Sequence, residues 1–327
     1  MRDGTAVEQG AELGMSEQRA REHPVPSARA RELVRGAYDL HVHSGPDVMR
    51  RRIDDLELAG RFRELGLAGY VIKSHYVPTA ERAAIVRRAV QGVRVLGSIT
   101  LNAAVGGLNP LAVEIAAREG ARIVWLPTVG SVNERQHHAS DQAADATKLP
   151  YWARLQREMR GAGFESEPVE VVDQDGRALP ALRQVLRVVA RHDMVLATGH
   201  LGRDEIFAAV AAAREEGVRH IVVTHPDFPS QALPVEDQIE LAQQGAILEH
   251  CFTPVYTGKV SWETMFEHIR AVGPTSVVLS SDLGQPDNPP VEDGLALMVD
   301  RLLEAGFSED EVHTMAVRNT VRLAGEA

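Results

Sequence analysis

The chain has 327 residues, 44% of them hydrophobic, and its 46 acidic against 35 basic side chains give a formal charge of -11. That length and apolar content admit one large barrel or two ordinary domains, while the negative charge makes nucleic acid or an anionic membrane a poor partner and leaves a small-molecule substrate as the expected one. No apolar run approaches the roughly 20 residues that span a bilayer, no glycine-rich loop of the dinucleotide or P-loop type follows a strand, and a single cysteine, Cys251, excludes an internal disulfide and suits a reducing cytoplasm.

Residues 1–26 carry charged and small side chains, with Arg2, Asp3 and Glu8 where a signal peptide would be apolar and His23-Pro24-Val25-Pro26 to interrupt a helix. They read as a mobile arm, or as a cover for a neighbouring subunit, ahead of a barrel domain over 27–327. From Ser27 a short helix through Leu33 and Val34 leads into the first strand. Strand-like apolar runs then fall at 38–42, 69–72, 93–101, 121–126, 194–198, 220–224, 246–248 and 276–280. Between them, segments such as 79–91, 111–118, 204–216 and 261–272 space their apolar residues three and four apart, as amphipathic helices do. Continuous Val/Ile/Leu strands separated by such helices make a parallel sheet covered by helices, and eight units predict a closed (β/α)8 TIM barrel. The longest connection, 130–180, reads as an insertion after strand four, with Asp175-Gly176 between short apolar runs as a hairpin signal. Because βα loops gather at the C-terminal ends of barrel strands, this insertion decorates the face where active sites lie.

Chemistry collects at the same ends. His41 and His43, two apart where the first strand finishes, share a side of the chain and can aim both imidazoles at one ion. Asp39 or Asp47 can orient or join them. Lys73 and His75 end the second strand, His200 the fifth, His225 the sixth, Glu249 and His250 the seventh and Asp282 the eighth. Closing the sheet brings all of these around one mouth. Glu249 and His250 cannot both face inward in a regular strand, and Glu249 is kept as the candidate. His137 and His138 belong to a solvated loop or to a lid, His192 and His220 stand at strand starts away from the chemistry, and Cys251 reads as a small buried residue. Phe252 and Tyr256 are expected to line an apolar pocket, and Trp125 either that pocket or the barrel core.

Asp39-Leu40-His41-Val42-His43, Thr198-Gly199-His200, Thr224-His225-Pro226 and Ser280-Ser281-Asp282 resemble, in order and strand position, the metal motifs of the amidohydrolase superfamily. The resemblance covers about 27–327 outside the insertion and includes Asn319-Thr320-Val321-Arg322-Leu323-Ala324-Gly325, similar to a closing Asn-Pro-Ala-x-x-Leu-Gly helix with its proline replaced. More narrowly, His41-x-His43-x-Gly45-Pro46-Asp47 looks like a little-characterised branch of metal-dependent hydrolases. The resemblance implies one or two divalent ions, with His41 and His43 binding the more buried one, His200 and His225 binding a second or contacting substrate, and Asp282 binding metal and shuttling a proton. Zinc is the first expectation, and manganese, iron or nickel share its ligands. The implied reaction is hydrolysis of a carbon-nitrogen or ester bond, as in a cyclic amide or lactone, by metal-activated water.

One departure stands out: Val124-Trp125-Leu126-Pro127 supplies no bridging lysine or glutamate from the fourth strand. Lys73 could serve in carbamylated form, bind a substrate carboxylate as an ammonium, or pair with Glu249, and His75 and Glu249 are further candidate ligands. The first two motifs also look like those of polymerase-and-histidinol-phosphatase phosphoesterases, which use three metals and a seven-stranded barrel, although Lys73 replaces their aspartate. A metal-assisted decarboxylase and a non-catalytic barrel scaffold are the remaining readings. By analogy with other barrels, a homo-oligomer is expected.

Overall fold

The computed structural model describes residues 23–137, 151–164 and 166–325. Residues 1–22 of the expected arm, and 138–150 of the expected insertion with His138, lie outside the described residues.

Eight strands pair side by side in chain order, every pair parallel: β1 (Tyr38–Val42), β2 (Gly69–Ile72), β3 (Arg94–Thr100), β4 (Ala121–Trp125), β5 (Val195–Ala197), β6 (His220–Thr224), β7 (Ile247–Cys251) and β8 (Val277–Ser280). The ring closes where Asp282 N donates to His41 O at 2.9 Å and His43 N donates to Leu283 O at 2.8 Å. The result is the (β/α)8 barrel that the alternation of runs predicts, with eight strands rather than seven. Seven of the runs match to within two residues at each end, but β7 continues to Cys251, three residues beyond its expected end. Glu249 and His250 therefore belong to the strand itself, although their polarity interrupts the apolar run that marks it in the sequence.

The helices are α1 (Ala28–Leu33), α2 (Asp55–Leu65), α3 (Ala80–Ala89), α4 (Pro110–Arg118), α5 (Val132–His137), α6 (Tyr151–Gly161) and α7 (Pro180–Arg191). They continue with α8 (Arg203–Glu215), α9 (Val235–Gln243), α10 (Phe252–Tyr256), α11 (Trp262–Val272), α12 (Gly294–Glu304), α13 (Glu309–His313) and α14 (Asn319–Ala324). Several start at side-chain caps: Asp54, Asn109 and Ser261 accept from the first free N–H groups of α2, α4 and α11. Among the described residues no helix is long and apolar enough to cross a membrane. Between β4 and β5 lie α5, α6 and α7, with a strand-like bridge between Ser131 and Val169 and an antiparallel one between Val172 and Ala178. The second bridge spans the Asp175-Gly176 turn, where Gly176 takes a positive φ of 75°.

Apolar burial falls into two shells, as a barrel requires. The outer shell, between sheet and helices, includes Phe62, Val86, Val113, Leu186, Leu241 and Met298; the inner one includes Leu40, Val71, Leu96, Ile123, Val195, Val222 and Val278. Leu323 and Ala324 of α14 join the inner cluster and plug the end where the strands begin. Asn319 Nδ2 fixes that plug by donating to Val277 O at 2.7 Å, and Thr320 Oγ1 accepts from Tyr38 N at 3.2 Å. The polar side chains at the strand ends gather at the opposite mouth.

Candidate metal centre

At the open mouth, His41 Nε2 and His43 Nε2 each lie 3.2 Å from the same atom, Asp282 Oδ1. Two local features of the backbone make this convergence. The register between β1 and β2 slips between Asp39 and Val42, so that Leu40 belongs to the inner cluster and the next residue, His41, also faces inward, its ring 5.6 Å from that of Trp125. Strict alternation would have sent one of them outward. Asp282 takes a left-handed φ of 53°, as does His225 with φ of 26°. Non-glycine residues held there cost on the order of 1–3 kcal/mol and cluster at functional sites. Close approach of backbone is needed as well: at Gly284, with φ of 131°, a Cβ would stand 1.6 Å from His43 O.

His41 is held from three directions. Its Nδ1 lies 3.2 Å from Glu249 Oε2, and its Nε2 lies 2.8 Å from Lys73 Nζ as well as beside Asp282. Burial and the Lys73 ammonium push its pKa down, but the Asp282 and Glu249 carboxylates outweigh them and hold it above the ordinary imidazole value. Burial raises the Asp282 carboxyl, yet His41 and His43 outweigh it and keep it well below the usual range. His43 is held well down by burial and by the Arg51 guanidinium, and its Nδ1 can donate to Lys73 O at 3.1 Å, which leaves Nε2 a free lone pair. Burial also lowers Lys73 against the pull of Asp282 and Glu249, and its Nζ stands 5.2 Å from the Trp125 ring centroid.

The remaining imidazoles continue the ring around the mouth. His75 stacks on His43 with centroids 5.1 Å apart and pairs through Nδ1 with Thr128 Oγ1 at 2.9 Å. His200 is 6.1 Å from His75 and 5.0 Å from His225, and His225 is 5.9 Å from His41. His225 Nδ1 lies 3.0 Å from Gln231 Oε1. Burial and the neighbouring His200 push His225 down to about 3, so it is neutral near pH 7. Burial lowers His200 too, with Glu134 opposing, and burial with Lys73 lowers His75.

His41, His43, Lys73, His75, His200, His225, Glu249 and Asp282 thus gather at the mouth, but in different parts. Among the described residues, ligand atoms mutually within 4.8 Å form the groups His41, His43, Asp282 and His41, Glu249, Cys251. Glu249 stands behind His41 rather than beside the shared oxygen. The Cys251 thiol is pushed well up by burial and by Glu249, so it stays a protonated, buried side chain. Two imidazole nitrogens and a carboxylate oxygen, converging with their outer nitrogens already engaged, suit a divalent ion. His200, His225 and His75 are contiguous with this group but outside it.

Other residues take places the sequence did not indicate. Asp39 accepts from the backbone N–H of His41 and Ser281 at 3.2 and 3.0 Å, tying β1 to the end of β8, and burial raises its carboxyl to about 6. Asp47 is engaged by Arg51 at 2.6 Å. Neither joins the ligands: Asp39, ahead of the register slip, alternates into the wall between inward Tyr38 and Leu40, and Asp47 is taken by Arg51. His250 faces the helix layer, where its Nδ1 meets Asp227 Oδ2 at 2.7 Å. His137 is exposed at the end of α5. His192 and His220 pair with Glu114 and Asp193, away from the mouth. Trp125 belongs to the inner core, whereas Phe252 and Tyr256 stack on each other at 5.2 Å and pack into the outer shell, not a pocket. Phe228 is an aromatic side chain at the mouth, 5.0 Å from His225 and 6.4 Å from His200. Sequence reading also passed over Glu134, buried and 3.3 Å from His200 Nδ1, and Gln231. Neither lies at a strand end, the only positional signal available there.

Residues 36–249 match the model of a family described as "Family of unknown function (DUF6282)". The chain belongs to that family. No curated protein matches it. Solved structures similar to it include an amidohydrolase from Pseudomonas aeruginosa, 14% identical with a TM-score of 0.57 over 90% of this chain and 97% of that one. The probable dipeptidase PvdM from the same organism is 12% identical with a TM-score of 0.57 over 91% and 97%. An enamidase, named as a member of the amidohydrolase superfamily, is 14% identical with a TM-score of 0.53 over 89% and 67%. At these identities the shared property is the fold: this chain has the barrel of those structures.

Proposed function

We propose that this protein is a metal-dependent hydrolase of a small molecule, cleaving a carbon-nitrogen or ester bond such as that of a cyclic amide or lactone. The observation that carries the reading is the convergence of His41 Nε2 and His43 Nε2 on Asp282 Oδ1, both at 3.2 Å. The shared fold with an amidohydrolase, a probable dipeptidase and an enamidase supports it. One or two divalent ions are proposed, zinc first, with manganese, iron and nickel compatible with the same donors. A divalent ion held by His41, His43 and Asp282 would supply Lewis acidity, polarising the scissile group and acidifying water.

The chain's own groups perform the other tasks. Asp282, ionised and partly open to the mouth, accepts a proton and returns it to the leaving group. Glu249 keeps His41 in one orientation. His225, neutral and with Nδ1 turned to Gln231, presents Nε2 to the substrate, beside the apolar edge of Phe228. Lys73 stands next to the reacting centre, where its ammonium form can meet a substrate carboxylate or a developing oxyanion. Eight strands, and a lysine where an aspartate is expected, speak against the polymerase-and-histidinol-phosphatase reading. A cytoplasmic location and a homo-oligomeric state belong to the same proposal; light scattering reads the latter.

Elemental analysis of the purified chain tests the metal. One or two equivalents per chain are expected, lost from the His41→Ala/His43→Ala double variant. No metal above background after reconstitution with bicarbonate present would overturn the reading.

A further inference from the structure

Three side chains of one short segment converge on His200. Ser131 Oγ donates to His200 O at 2.9 Å, Asn133 Nδ2 donates to the same carbonyl at 3.2 Å, and Glu134 Oε2 lies 3.3 Å from His200 Nδ1. The segment is itself fixed. Glu134 N donates to Ser131 Oγ at 3.0 Å, Asn133 Nδ2 also donates to Ser230 O at 2.6 Å, and Val169 N donates to Gly130 O at 2.8 Å. His200 is tied to the end of β4 from the other side, through its N–H to Pro127 O at 2.9 Å. Backbone and ring are thus held by Ser131 and the first turn of α5, which follow β4, the very strand whose end supplies no ligand of its own.

A carboxylate 2% exposed is costly to bury unless a partner compensates it. The neighbouring imidazole shows what the compensation achieves: His225 Nδ1 is occupied by Gln231 Oε1 at 3.0 Å, which frees Nε2. The Glu134 carboxylate, 3.3 Å from Nδ1 of His200, is placed to do the same from another element, and the two rings stand side by side with centroids 5.0 Å apart. We infer that Glu134 is a positioning residue for His200: it selects the tautomer protonated on Nδ1 and aims the bare Nε2 into the mouth, as an outer carboxylate does for a ligand or base imidazole. The significance of that role rests on the reading of His200 as part of a hydrolytic site; the tautomer itself does not.

Nitrogen spectra of the full chain labelled with 15N-histidine, the His200 signals assigned through His200→Ala, read the tautomer directly. Expected are a protonated Nδ1 and bare Nε2 in the wild type, retention in Glu134→Gln, whose amide oxygen can still accept, and loss in Glu134→Leu, where the proton moves to Nε2 or exchanges between the two nitrogens. The His225 signals should stay put in all three, which separates positioning from a general loosening of the mouth. A wild-type His200 protonated on Nε2 overturns the inference without any variant having to fold, and so does a folded Glu134→Leu that keeps Nδ1–H. Titration of the wild type with Co2+ alone tells the two readings apart: absence of binding removes the metal-dependent reading while the tautomer result still decides the role of Glu134.

Discussion

Glu249 Oε2 lies 3.2 Å from His41 Nδ1, on the opposite edge of the imidazole from the Nε2 that meets Asp282 Oδ1 at 3.2 Å. Residues 208 apart in sequence thereby act on one ring. An outer carboxylate of this kind orients a ligand and strengthens it as a donor. Glu249→Gln is expected to weaken divalent-cation binding by about 10- to 100-fold, measured by competition against a chromophoric chelator. Unchanged affinity would reduce Glu249 to a buried charge partner.

Lys73 Nζ, 2.8 Å from His41 Nε2, sits where it repels an incoming cation. Lys73→Met keeps the length of the side chain and removes the charge, so the same titration should show tighter cation binding, by several-fold or more. Weaker binding, restored in the wild type by bicarbonate, would instead make carbamylated Lys73 a ligand.

Away from the mouth, Asp227 receives both His250 and His268 at 2.7 Å. The hydrogen bond from His268 to Asp227 raises the imidazole above 6.5 in the folded protein, with burial opposing. A raised folded value means stabilisation that is fully present below the unfolded pKa of about 6.5 and fades as pH climbs through the folded one. The stability difference between wild type and His268→Ala should therefore be largest on the acid side of neutrality and shrink in alkali. Urea denaturation at a series of pH values checks this; a difference flat with pH would deny the linkage.

Gly199 precedes His200 with φ of 64°, and a Cβ there would stand 2.4 Å from Leu126 O. Gly217 has a comparable φ of 82° but nothing within 4 Å. Both alanine variants carry the left-handed strain, on the order of 1–3 kcal/mol, and Gly199→Ala adds a clash with backbone. It should lose clearly more stability than Gly217→Ala in chemical denaturation. Equal losses would show that the β4 and β5 ends can part without cost.

Sequence alone determined the repeating skeleton, because strand and helix periodicity are short-range properties read within a dozen residues. That is why β1, β2 and β6 coincide with their apolar runs and why His41, His43, His200, His225 and Asp282 were legible as strand-end residues. The end of β7 was not legible, since inward Glu249 and outward His250 carry polarity that the apolar signal excludes. Tertiary structure decided what each side chain does at the mouth. A register slip in β1 turns His41 inward while Asp39, ahead of it, stays in the wall, and left-handed backbone at His225 and Asp282 aims side chains that regular strands would have turned elsewhere. Closing the sheet then places Glu249 behind His41, and the start of α5 lays Glu134 against His200. Such pairings join residues far apart in the chain, and no local pattern encodes them, because they depend on where the ring closes and which loop covers which strand end.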